Sequence, residues 1–239
     1  AVIERIQALD HNREFQALTE HVVVTSPIAL ELLAHEHLTS PNHEARRIAA
    51  IQLRVVREVA DKLRWLERTC ANPHIEANTR LALAGVLHSL CADSDLLPIM
   101  NSEAAVMLEP TILFHGLLAR LRPWIPPMVL CLEPESVLTM LQLGIPDYLH
   151  SLMRQRFESI WELFHRLRQL PPARLEAADQ VPMNDEQLQG LIGDPRLAEI
   201  SCPPAPLWTT QSWVTPWLSE NTMRPPPTAL ASQPAAQLE

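Results

Sequence analysis

Apolar side chains recur every three or four positions along much of this chain, and the clearest such stripe lies within residues 41–70. Arginine side chains fall largely off the stripe. This spacing is typical of an amphipathic α-helix that turns one face toward a core. It predicts one helix of about seven turns that ends near Cys70. The members of the stripe are Ile48, Ile51, Val55, Val59, Leu63 and Leu66.

Four prolines directly follow a residue that is able to cap a helix. A capping side chain accepts a hydrogen bond from the first turn, and proline fits the first helical position because no hydrogen bond is lost there. Each pair therefore predicts a helix start. The four pairs are Ser26-Pro27, Ser40-Pro41, Asn72-Pro73 and Asp194-Pro195.

Helical spacing continues through most of the remaining chain up to residue 200. It predicts a helix after Pro73 and further helices at about 103–121, 134–143, 146–169 and 184–192, with Gly144 and Gly193 as helix ends. Strand-like character is limited to the Val22–Val24 run. Short links between amphipathic helices give antiparallel neighbours. We therefore expect an all-α fold, an irregular antiparallel helical array that is either a bundle or an α-solenoid of helical pairs.

The character of the chain changes at Ser201. Residues 201–239 hold eight of the 22 prolines and three of the six tryptophans, without a helical or strand period. Proline at this density favours an extended backbone. The sequence therefore predicts a helical domain over residues 1–200 and an extended C-terminal arm over residues 201–239.

The arm carries large apolar groups that are unusual in a merely solvated tail. Tryptophan is enriched at the centres of protein interfaces, and short proline runs are ligands for aromatic-lined grooves. We interpret these residues as protein-interaction anchors on another subunit, with a groove of the chain's own body as the alternative. The anchors are Trp208, Trp213, Trp217, Arg224, Pro225, Pro226 and Pro227.

Composition argues against several classes of function. The chain has only five glycines and no glycine-rich loop that would cradle a phosphate, so we expect no nucleotide or other cofactor. Its net charge of −9 opposes binding to nucleic acid. The charge is uneven, because residues 42–69 are net basic and residues 175–239 are net acidic. The basic helix is suited to an acidic protein surface.

Candidate metal and catalytic residues are sparse. Glu31, His35, His37 and His43 form the densest group of potential ligands, but only Glu31 and His35 share a helix face. We interpret them as polar surface at a helix end. Residues 93–95, Asp-Ser-Asp, lack the glycine and glutamate of a calcium loop, and we interpret them as a capping turn. No metal site and no catalytic residue is predicted.

The cysteines and the hydropathy bear on location. The four cysteines are widely spaced without a CxxC pair, which favours a reducing compartment over a secreted disulfide framework. No run of 18 apolar residues is present, so we expect a soluble protein without a transmembrane segment. A start at Ala1 and the arginine-rich composition would suit the mitochondrial matrix or a plastid.

Three hypotheses about function follow. The first is a non-catalytic structural or accessory subunit of a larger protein assembly, which docks on other subunits through its helical body and its C-terminal arm. The second is a helical adaptor that binds a peptide in a concave groove. The third is an all-α enzyme whose histidine and carboxylate groups come from separate helices. The absence of any catalytic motif favours the first.

Overall fold

The structure of this chain is a computed structural model that describes residues 2–92, 102–125, 135–170 and 185–205. These residues form eleven α-helices, one 3-10 helix and no β-strand, which confirms the prediction of an all-α helical array. The elements are α1 (Val2–Gln7), α2 (His11–Thr25), α3 (Pro27–His37), α4 (Pro41–Cys70), α5 (Ala77–Cys91), α6 (Glu103–Val106), α7 (Leu108–Leu121), the 3-10 helix η1 (Arg122–Trp124), α8 (Glu135–Gln142), α9 (Asp147–Arg168), α10 (Asp185–Ile192) and α11 (Pro195–Ala198).

Helix α4, the long amphipathic helix that the sequence predicts, is the central element of the array. It begins at Pro41, where the Ser40 hydroxyl accepts a hydrogen bond from the backbone N–H of His43, and it ends at Cys70. Its apolar stripe is buried from Ile48 to Leu66 except at Ile51, which is half-buried. Helices α1, α2, α3, α5, α7 and α8 all pack on it. One long helix thus contributes to a core that it shares with all six of these helices.

Helices α5, α7 and α9 form the second layer of the core. Phe157 and Phe164 of α9 are fully buried there. The carboxylate of Glu109 in α7 is also buried, and it accepts a hydrogen bond of 2.9 Å from Arg156 of α9. Arg156 donates a second bond, of 2.8 Å, to the carbonyl of Ser89 in α5. Three helices are therefore tied together by one buried charge and its counterion.

Two predicted helix starts differ from the structure in an instructive way. Asn72 accepts a hydrogen bond from the N–H of His74 within a turn, and α5 begins only at Ala77, so the predicted start at Pro73 is wrong. Helix α3 does begin at Pro27, but the Ser26 hydroxyl does not cap it. That hydroxyl donates instead to the Leu143 carbonyl. In both cases the side chain serves a turn or a tertiary contact rather than the first helical turn.

Other predicted elements agree with the structure apart from local breaks. The helix predicted at 103–121 is divided by a turn at Met107, and Val22–Val24 belong to α2 rather than to a strand. The helices predicted at 134–143, 146–169 and 184–192 correspond to α8, α9 and α10. Asp194 caps α11 by accepting from the N–H of Arg196 at 2.9 Å.

The link between α8 and α9 packs closely against the rest of the array. A Cβ atom at Gly144 would lie 2.6 Å from Cδ1 of Leu108 and 2.9 Å from the side-chain nitrogen of Gln52. That amide donates to the Met140 carbonyl at 3.0 Å. The Gly144 carbonyl lies 2.6 Å from Nε2 of His21, within hydrogen-bonding distance. The end of α2 is thereby held on this link.

Residues Glu103–Leu121, which cover α6 and α7, are long and apolar enough to cross a membrane, with a mean hydropathy of 1.3. In this fold 78% of their most apolar window is buried inside the array, as in the core helix of many soluble proteins. The absence of a transmembrane segment stays a prediction.

Candidate functional site

The predicted anchors of the C-terminal arm lie outside the described residues, as do residues 93–95. These anchors are Trp208, Trp213, Trp217, Arg224, Pro225, Pro226 and Pro227.

The described helical body offers three features that bear on function: an exposed apolar corner, a groove beside it, and a cleft on the opposite layer.

Exposed apolar side chains are concentrated on α2 and α3: three lie where α2 turns into α3, and Leu38 lies at the other end of α3, about 15 Å along that helix. Of the five large apolar residues exposed among the described residues, four lie in this stretch of sixteen positions, which we name the α2–α3 corner. Val24 is 79% exposed, Ile28 66% and Leu38 92%, with Val23 beside them. Single exposed apolar residues are ordinary, but the three at the turn between α2 and α3, Val23, Val24 and Ile28, form a group of the kind that is typical of an interaction surface.

Leu38 has an unusual backbone conformation for its residue type. It ends α3 with φ 56° and ψ 40°, the left-handed region, and is the only non-glycine residue with positive φ among those described. The Thr39 N–H donates to the Ala34 carbonyl at 2.9 Å, and the Leu38 N–H faces the His35 carbonyl at 3.5 Å. This is a Schellman motif, in which glycine is the usual residue. A leucine here is strained and almost wholly exposed.

A buried carboxylate holds this turn from both sides of Leu38. Glu44 accepts a 2.6 Å hydrogen bond from the Thr39 hydroxyl, and its other oxygen lies 3.3 Å from Nδ1 of His37. Nε of Arg47 lies 3.0 Å from that second oxygen. Burial raises the pKa of Glu44, but the Thr39 hydrogen bond and the charge of Arg47 outweigh it, and the pKa is lowered overall. The charged carboxylate therefore stabilises the turn.

A groove with a volume of about 970 Å³ runs beside the corner, between α2 and the start of α4. We name it the α2–α4 groove. It follows α2 from Asn12 to Val24, about 18 Å at the rise of an α-helix. Its α2 wall includes Phe15, Thr19, Glu20 and Val23, and its α4 wall includes His43 and Arg46.

The groove carries charge of both signs. Glu20 is exposed on the α2 wall, and one of its oxygens accepts a hydrogen bond of 3.1 Å from Gln16. Arg46 is exposed on the α4 wall and has no ion-pair partner among the described residues. An apolar floor between a carboxylate and a guanidinium group is suited to a protein partner of complementary charge.

The candidate metal ligands are distributed around the same corner. Glu31, His35, His37 and His43 are all exposed, and His37 is engaged by Glu44. Within residues 2–92 and the three later described ranges, no group of three His, Cys, Asp or Glu side chains could hold a metal ion. Glu31 and His35 lie on one face of α3, and the histidines add polar rim around the apolar corner.

A second depression lies on the other layer, between α5, α9 and α11. It has a volume of about 750 Å³, within the range of small-molecule sites. Its charged groups are occupied within the chain: Arg156 by Glu109 and Arg166 by Glu162. His88 and Ser159 also line it, and the Ser159 hydroxyl donates to the Gln155 carbonyl at 2.9 Å. These contacts stabilise the fold and form no nucleophile–base pair.

Several polar groups are buried away from both depressions. Lys62, the one lysine of the chain, has its amino group 3.5 Å from Nε2 of His115. The rings of Trp161 and His165 are in contact, with centroids 4.6 Å apart and planes tilted by 59°. Burial, together with the charge of Arg168, lowers the pKa of His165. These groups lie in the helical core, and none of them lines the groove or the cleft.

The comparisons with known proteins bring no further assignment, since no family model, curated protein or solved structure matches this chain. The site therefore depends on geometry alone. The corner was not predictable from the Val22–Val24 run, which has a strand-like character in the sequence. The usable signal was Leu38, a leucine in the C-terminal position of a helix where glycine is expected.

Proposed function

We propose that this chain is a non-catalytic structural or accessory subunit of a larger protein assembly. It docks through the α2–α3 corner of its helical body and through its C-terminal arm. The observation that supports this most directly is that four of the five large apolar residues exposed among the described residues lie within α2, α3 and the residue that ends α3. The strained, outward-facing Leu38 adds to it, because backbone strain tends to persist where a side chain serves a function.

The corner has enough apolar surface to contribute strongly to docking. Complete burial of one Val, Ile or Leu side chain is worth about 1.5–3 kcal/mol. Three side chains that are two thirds or more exposed, Val24, Ile28 and Leu38, would supply several kcal/mol on burial. Part of this gain is offset by the loss of translational and rotational freedom on association. The corner is therefore suited to act with a second attachment point, such as the arm.

A matched set of substitutions tests the role of the corner. Val24→Asp, Ile28→Asp and Leu38→Asp each place a charge on it, whereas Leu152→Asp does the same at an isolated exposed leucine on α9. The chain would be followed in native cell extracts by size-exclusion chromatography. We expect the wild type and Leu152→Asp to elute with an assembly far above 27.0 kDa, and the corner variants to move toward the size of the separate chain. Equal elution of all four variants with the assembly would refute docking through the corner.

The contribution of the arm is tested separately. Chains of residues 1–200 and 1–239 would be compared for incorporation into the same assembly. We expect the shorter chain to be incorporated less, because it lacks the tryptophan anchors. Equal incorporation of both would exclude the arm as an anchor while leaving the corner untouched.

The α2–α4 groove favours a second candidate, a helical adaptor that binds a peptide. A groove about 18 Å long would accommodate about three turns of an amphipathic helix. An adaptor of this kind would be a monodisperse monomer in solution, with its groove open. A chain that associates or aggregates when purified alone would favour the subunit instead.

A further inference from the structure

We propose that the α2–α4 groove is the contact by which two copies of this chain form a symmetric dimer. This inference builds on the proposed function, since it names the partner that the groove takes within an assembly. In the dimer, α2 of each copy lies over α4 of the other. Glu20 of each copy then pairs with Arg46 of the other.

The relative register of α2 and α4 supports this pairing. Nη1 of Arg57 lies 3.3 Å from Nδ1 of His11, which places the start of α2 beside the middle of α4. The end of α2 lies across the groove from the start of α4, so the two helices run antiparallel. Glu20 is about 14 Å along α2 from His11, and Arg46 is about 16 Å along α4 from Arg57. The two charges are therefore level with each other on opposite walls.

A two-fold axis that runs along the groove would relate two copies so that the charged walls of one face those of the other. Rotation about such an axis exchanges the two walls while it keeps each residue at its own level. Glu20 of one copy then faces Arg46 of the other, and the reverse pair forms at the same time. Two equivalent ion pairs arise from one pair of residues, as an isologous interface requires. Phe15 and Val23 supply the apolar surface between them.

The charge of this face permits two copies to approach. The chain as a whole carries −9, which opposes self-association at long range. Between residues 11 and 47, however, the exposed side chains comprise as many guanidinium groups as carboxylates. With the buried Glu14 and Glu44 counted, three arginines stand against five glutamates, a net charge of −2, and this charge is screened beyond about 8 Å at physiological salt. These exposed groups are Arg13, Arg46, Arg47, Glu20, Glu31 and Glu36.

A protein surface fits this site better than a lipid surface does. The walls of the groove carry polar and charged groups such as Asn42, Glu20 and Arg46. A bilayer presents no partners in fixed positions for such groups. Binding to vesicles is nevertheless a measurable outcome, and it is included in the test below.

Charge reversal on the full-length chain tests the dimer. Sedimentation velocity should show the wild type at twice 27.0 kDa, with dissociation on dilution. Glu20→Arg and Arg46→Glu each create two like-charge pairs, so each alone should weaken self-association by about tenfold or more. A dimer of one Glu20→Arg copy and one Arg46→Glu copy has only complementary pairs across the groove. An equimolar mixture of the two variants should therefore restore the dimer. Circular dichroism would confirm that both variants fold.

Three results would overturn the inference. The first is a wild type that stays monomeric up to about 100 μM, a concentration at which a contact of even modest affinity would be occupied. The second is a mixture of the two variants that associates no better than either alone. The third is a monomer that binds vesicles of phosphatidylserine and phosphatidylcholine and loses that binding on Val23→Asp.

Failure of the dimer is distinguishable from failure of the proposed function. A monomeric wild type whose incorporation into the assembly is still blocked by Ile28→Asp, at a corner residue outside the groove, would overturn the dimer alone. A dimer whose corner variants are incorporated as well as the wild type would support the dimer and refute docking through the corner.

Discussion

Replacement of Leu38 by glycine should stabilise this protein. Leu38 occupies the left-handed region, with φ 56° and ψ 40°, at the end of α3. There its Cβ atom crowds the backbone, at a cost of about 1–2 kcal/mol for a residue other than glycine. Glycine adopts the same conformation without this cost, and the Schellman hydrogen bond from Thr39 to Ala34 needs no change.

The expected gain is the released strain less two smaller losses. Glycine is more flexible in the unfolded chain, which costs about 0.5–1 kcal/mol. Leu38 is 92% exposed, so the loss of its side chain removes only about 0.2 kcal/mol of burial. The net gain is about 0.3–0.8 kcal/mol. For a domain of this size it should raise Tm by about 1–3 °C.

Leu38→Ala is the matched control. Alanine also lacks the exposed side chain but keeps the Cβ atom, and thus the strain, so its Tm should stay close to that of the wild type. Thermal unfolding of the three proteins, followed by circular dichroism, separates the backbone from the side chain. Both variants should dock less well, because both lack the leucine side chain. Equal Tm values for the alanine and glycine variants would show that the left-handed conformation costs nothing here.

The remaining predictions concern acid stability, packing and reactivity. Because the pKa of Glu44 is lowered in the folded chain, its contribution to stability is present above about 4.5, the ordinary value, and is lost as the pH falls through the lower folded-state value. Glu44→Gln should cost about 1–2 kcal/mol at pH 7 and less at pH 3, as measured by urea unfolding, and an equal cost at both pH values would contradict this account. Gly144→Ala should cost about 2–3 kcal/mol of stability because its Cβ has no room. Gly190→Ala should instead stabilise α10 by about 0.5–1 kcal/mol, because nothing lies within 4 Å of its Cβ. Urea unfolding of both variants checks the difference in sign. Burial raises the pKa of the Cys70 thiol to about 12, so iodoacetamide at pH 8 should modify the half-buried Cys91 and Cys202 but Cys70 only in denaturant, as peptide mass spectrometry would show.

The sequence by itself determined the helical class and the position of its longest helix. The bounds of α4 were predictable because the Ser40-Pro41 cap and the apolar period are local features, encoded within one segment. The same local information gave α8, α9, α10 and the cap at Asp194. This local information did not determine which helix packs on which, because the apolar face of one helix can pack on that of any other.

Only the tertiary structure decided where the surface features lie. Ser26 was available to cap α3, but the Leu143 carbonyl, 117 positions away along the chain, receives its hydroxyl instead. Glu44 is an ordinary first-turn residue in the sequence, yet in the fold its carboxylate contacts Thr39 and His37, the residues on either side of Leu38. Such contacts join residues from different elements, and their energies depend on burial and geometry that no single segment contains. The exposed corner and its groove depend on the tertiary structure for the same reason, because they consist of helix faces that the packing of the described helices leaves exposed.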